Sequence, residues 1–204
     1  MNLKADVRTV ERVLTETLRP HARRLSLSIV LTGVTVAAVA IVGFVAPKVA
    51  ANYHLASHAD YSVQLVIVLS GFFGLGAFAA LHLAQFGRRG YGRIGMAGFA
   101  LACFGQTAVL LANLATLATG ENPFGPLHAV GFLTLLPGIL LLAASTSRVR
   151  LLPRWAAFLF GATPIVLFAG SPGGIVFGTS WILLGLLLHA ATRPEATQLA
   201  GATA

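Results

Sequence analysis

From Leu65 to Arg93 the chain reads LVIVLSGFFGLGAFAALHLAQFGRRGYGR. Its first twenty or so residues are apolar or small, and at about 1.5 Å each along a helix they reach across a hydrocarbon core of about 30 Å. The run stops at a loop of glycines and arginines, the composition of a membrane boundary. Just before that loop sits His82, an ionisable side chain where a plain lipid-facing helix carries Leu. Such a stretch commits the chain to a bilayer, and the composition says it is not alone. Hydrophobic residues make up 56% of the 204 residues and charged ones 10%, against about 25% charged in soluble domains. The expectation is an all-α, polytopic membrane protein.

Six spans are predicted, at about Ser26 to Ala46, Ser62 to Phe86, Ile94 to Ala118, Leu127 to Ser145, Trp155 to Ala169 and Ile175 to Ala191. The first apolar run is longer than the roughly 7 to 15 residues of a signal-peptide core, so it reads as a retained anchor. Pro137 beside Gly138 in the fourth span and Pro164 in the short fifth one predict broken helices with exposed carbonyls. SPGG, Ser171 to Gly174, predicts a turn. Ahead of the spans, Leu3, Val7, Val10, Leu14 and Leu18 recur at helical spacing among charged residues, with Pro20 as a stop. Residues 1–24 are therefore an amphipathic cytoplasmic leader, lying on the anionic leaflet, docked on a partner, or simply solvated. Residues 25–192 form the six-helix domain. Residues 193–204, rich in Ala and Thr, read as a disordered tail.

Charge gives the orientation. With the N-terminus inside, every one of the 14 Lys and Arg except Lys48 falls on the cytoplasmic side, as the positive-inside rule requires. Adding or removing one span would scramble that bias, so both termini are expected in the cytoplasm. The net charge of +8 is thereby explained by topology, and no nucleic-acid partner is expected, since that needs a basic patch on a water-facing surface. Cys103 is the sole cysteine, which excludes an internal disulfide and CxxC chemistry.

Three constellations carry the candidate chemistry. His82 and His189 precede the cytoplasmic ends of the second and sixth spans by similar distances, an arrangement that would let facing helices hold haem b through two imidazoles. The competing reading is polar packing near the inner surface. His54 and His58, with His128 on the same outer side and Asp60 and Glu121 close in topology, are a candidate metal set. Gln106 and Asn113 share a face of the third span with Cys103 and Thr116, either lining a substrate path near the midplane or bonding a neighbouring helix. No Asp or Glu lies inside a span, which argues against an ordinary proton- or sodium-coupled carrier. HExxH, GxSxG and Walker motifs are missing, so the reading leans away from an enzyme.

LPRW (Leu152 to Trp155), WILLG (Trp181 to Gly185) and YGRIG (Tyr91 to Gly95) resemble recurrent features of small six-helix bacterial integral membrane proteins of unknown function. The resemblance implies their fold and a location in the bacterial cytoplasmic membrane, with no catalytic residues to carry over. The expected role is a non-enzymatic subunit or accessory of a membrane assembly, in contact with the lipid bilayer and with a protein partner or further copies of itself. A small-solute transporter or channel, and a haem b redox protein, are the alternatives.

Overall fold

Six helices follow one another among the residues that the computed structural model describes, 3–46, 55–167 and 169–193: α1 (Leu3–Val45), α2 (His58–Gln85), α3 (Gly92–Thr119), α4 (Gly125–Val149), α5 (Arg154–Leu167) and α6 (Ser171–Ala191). All but α5 are long and apolar enough to cross a membrane, α1 over Pro20–Val45. At 14 residues, α5 is about 21 Å long. The expected tail from residue 194 onward, with Lys48 and His54, lies outside the described residues.

Several boundaries differ from the sequence expectation, each for a local reason. Pro20 does not stop the first helix: α1 is 43 residues long with Pro20 inside it. Proline deletes one backbone hydrogen bond, but the following turns are anchored, with Ala22 and Ser26 fully buried. The Ser26 hydroxyl donates to the Arg23 carbonyl at 2.6 Å and meets Nδ1 of His189 on α6 at 3.1 Å. At the other boundary, α2 begins at His58 because Ser57 and Asp60 form a reciprocal cap: the Ser57 hydroxyl accepts from the Asp60 N–H, and the Asp60 carboxylate accepts from the Ser57 N–H at 2.8 Å. Gly120, at φ 77°, ends α3. SPGG is no turn but the first turn of α6, with Pro172 where a missing N–H costs nothing.

Pro137 and Pro164 likewise sit inside continuous helices. Beside Pro137, a Cβ on Gly138 would collide with the backbone of Ala102 in α3. That residue permits close helix approach rather than a break. Gly105 is its counterpart on α3: a Cβ there would lie 2.5 Å from the Leu135 nitrogen.

The helices form a ring in chain order, each packed on the next, with α6 closing on α1. The closing pair is antiparallel, as Ser26 meets His189, Val30 meets Gly185, Gly33 meets Gly178 and Ala40 meets Gly174. Aromatic side chains fill the centre. Trp181 of α6 stacks on Phe177 at 5.1 Å and takes edge contacts from Phe78 of α2 and Phe160 of α5 at 5.8 and 5.6 Å. Its indole N–H donates to the Thr163 hydroxyl. The outside is the apolar surface: Phe44, Leu133 and Phe158 are 69%, 72% and 79% exposed. Such a girdle suits lipid and not water.

Candidate functional site

The polar face of α3 is turned inward, against α2. Nε2 of Gln64 on α2 donates both to the Asn113 carbonyl at 2.9 Å and to Asn113 Oδ1 at 3.0 Å, while Asn113 Nδ2 donates to the Val109 carbonyl at 2.8 Å. Gln106 reaches the Gly71 carbonyl at 3.3 Å. It lies where a Cβ on Gly74 would come within 3.1 Å, so this glycine makes room for the amide. Gln106 and Asn113 are thus engaged in joining two helices. Like Gln64, a fourth amide, Gln85, went unremarked in the sequence. It is fully buried at the end of α2, donates to the Thr146 hydroxyl at 2.8 Å and accepts from Ser145 at 3.2 Å, tying α2 to α4.

His82 and His189 have separate partners. The His82 ring stacks on Phe99 with centroids 4.1 Å apart, lies against Phe86, and shares a hydrogen bond between its Nδ1 and the Tyr91 hydroxyl. His189 bonds Ser26 across the α1–α6 seam. Of the outer histidines, His58 is exposed at the start of α2, and His128, in the first turn of α4, has a buried Nδ1 with no hydrogen-bond partner among the described residues. No three His, Cys, Asp or Glu side chains converge among the described residues; with His54 outside them, the proposed outer set is only partly described.

The residues best organised for binding lie where the opening stretch ends, in the loop between α2 and α3. Here Phe86, Arg88, Arg89, Tyr91, Arg93 and Met96, with the glycines between them, line a concavity of about 710 Å³. Glycine is required at the tip: Gly90 has φ 105°, and a Cβ there would press on the Arg148 backbone at the end of α4 at 3.1 Å. Arg88 fastens the other side, its Nε donating to the Ala84 carbonyl in the last turn of α2 at 2.8 Å. Tyr91 is the anchor. It is 3% exposed, its ring occupies the space that a Cβ on Gly95 would need, and its hydroxyl clasps His82. Burial, with a lesser contribution from Cys103, pushes the phenol pKa up, so the hydroxyl stays protonated.

Arg89 and Arg93 are exposed at the rim, and neither has a hydrogen-bond or ion-pair partner among the described residues. The sequence singled out this loop as an orientation signal and His82 as a possible ligand. It did not reveal that Tyr91 joins the two.

Helices with these apolar flanks and a packed centre fit a multi-pass membrane protein. Comparisons of the chain with protein-family models, with curated proteins and with solved structures give no match.

Proposed function

We propose that the protein is a non-enzymatic subunit or accessory of a membrane assembly, a six-helix protein of the bacterial cytoplasmic membrane with both termini in the cytoplasm. The observation that carries this reading is the length of α1. Its 43 residues extend about 65 Å, roughly twice the hydrocarbon thickness, and the membrane-compatible part begins only at Pro20. Residues 3–19 therefore continue a spanning helix beyond the bilayer. Their sequence stripe of Leu3, Val7, Val10, Leu14 and Leu18 suits the face of another helix, and Val13, off that stripe, is 56% exposed. An arm in rigid continuity with a spanning helix is a means of docking a partner.

The interior supports the same reading. A carrier at Gln106 and Asn113 would have to break the bonds to Gly71 and Gln64, and a haem protein would have to free both His82 and His189 from their present partners. Blue-native electrophoresis after mild detergent extraction tests the proposal with the full chain and a chain lacking residues 1–19. The full chain is expected in a species larger than the monomer that collapses on removal of the arm. Two monomers of equal mobility, correcting for chain length, overturn the reading.

A further inference from the structure

The concavity between α2 and α3 combines a charged rim with an apolar exit. Arg93 opens α3, and Met96, Ala100 and Phe104 follow it at spacings of three, four and four, which keeps all four on one helix face. Met96 also lines the concavity. Met96 and Phe104 are 46% and 60% exposed, and Ala100 is exposed between them. A strip of lipid-facing surface therefore runs directly from the arginines along the span. We propose that this concavity binds the phosphate of an anionic phospholipid whose acyl chain lies along Met96, Ala100 and Phe104.

Each part of the site answers to one part of such a ligand. Guanidinium groups present planar pairs of N–H donors that match phosphate oxygens, and Arg89 and Arg93 stand exposed at the rim without a carboxylate partner among the described residues. No side chain caps the first turn of α3, so its N–H groups add to the positive field beside Arg93. The apolar strip selects the source of the phosphate. Inorganic phosphate or a soluble phosphate ester gains nothing from Met96 and Phe104, whereas an acyl chain buries against them. The loop is also held before any ligand arrives, by the Tyr91 clasp on His82, the seat of Gly90 on Arg148 and the Arg88 bond to Ala84. Preorganisation of this kind removes an ordering cost from binding.

The test is native mass spectrometry of the full chain titrated with dioleoyl phosphatidylglycerol or dioleoyl phosphatidylcholine. The wild type is expected to prefer the anionic lipid. In R89Q/R93Q its affinity for that lipid is expected to fall about tenfold, as loss of charge-assisted hydrogen bonds implies. R24Q/R154Q, which removes two exposed arginines outside the concavity, is expected to keep the preference. An equal fall in both double variants, or none in R89Q/R93Q, overturns the site. Thermal stabilisation by inorganic phosphate alone, abolished in R89Q/R93Q and accompanied by no lipid preference, assigns the arginines to a soluble anion and overturns the lipid. Should R89Q/R93Q fail to fold, R93Q alone changes an exposed side chain, and a loss of about threefold in anionic-lipid affinity is expected from a single charge-assisted contact; unchanged affinity there also overturns the proposal.

Discussion

At the scale of single residues, the chemistry lies in hydrogen bonds that the apolar runs would otherwise leave unmade. His82 stood out in the sequence because an ionisable ring in such a run needs a partner. The partner is Tyr91, nine residues on, brought back by the reversal of the chain at Gly87 to Gly92, where three glycines have positive φ. Tyr91→Phe removes that hydroxyl while keeping the ring. The bond and the stranded Nδ1 together predict a loss of about 1 to 2 kcal/mol, measured as an earlier midpoint in SDS unfolding followed by circular dichroism; an unchanged midpoint would show that the clasp carries no stability. The inward face of Gln106 and Asn113 was legible from spacing, but Gln64 as the group opposite Asn113 was not. Periodicity tells which side of its own helix a residue occupies and is silent about which helix stands there.

Among the elements, the same limit explains which boundaries the sequence conveyed. Helix positions were readable from apolar length, although α5 falls short of a span, whereas Pro20, Pro137 and Pro164 suggested ends and breaks that the helices do not have. Proline weakens a helix by about 3 kcal/mol, and packing of the neighbouring turns offsets that cost, as burial of Ala22 and Ser26 does after Pro20. The Ser57 and Asp60 pair is a polar pair three apart before an apolar run, a start signal that the expected start at Ser62 passed over. Glycines that looked alike in sequence also divide by their surroundings. At Gly138 an added Cβ would strike Ala102, whereas at Gly125 nothing lies within 4 Å. Gly138→Ala must push α4 off α3 and is expected to cost about 1 to 3 kcal/mol. Gly125→Ala is expected to stay within about 0.5 kcal/mol of wild type. Thermal unfolding of the two variants in one detergent checks this, and equal midpoints would mean that the α3–α4 seam is not packed as closely as the glycines allow.

For the whole molecule, the ring of helices shows, without counting charges, which connections lie at the same end. The Leu55 N–H donates to the Gly120 carbonyl at 2.7 Å, so the α1–α2 and α3–α4 connections meet at one end. Gly90 meets Arg148 and Ser26 meets His189 at the opposite end, the end that gathers Arg23, Arg88, Arg93, Arg150 and Arg193. The shortness of α5 leaves this intact. It starts at that basic end, and α6 returns to it beside α1, so the pair restores the chain to its starting side whether or not α5 reaches the far surface. On the proposed topology, which places positive residues inside, the basic end is the cytoplasmic one. Ala56 and Arg154 are exposed at opposite ends, and with Cys103 replaced by Ala each can carry a single cysteine. A membrane-impermeant maleimide is expected to label Ala56→Cys in intact cells and Arg154→Cys only after permeabilisation. The reverse pattern would invert the protein in its membrane and strip the arginine rim of its cytoplasmic leaflet. Labelling of both from outside would mean that α2 to α4 do not alternate across the bilayer, and the ring itself would then have to be abandoned.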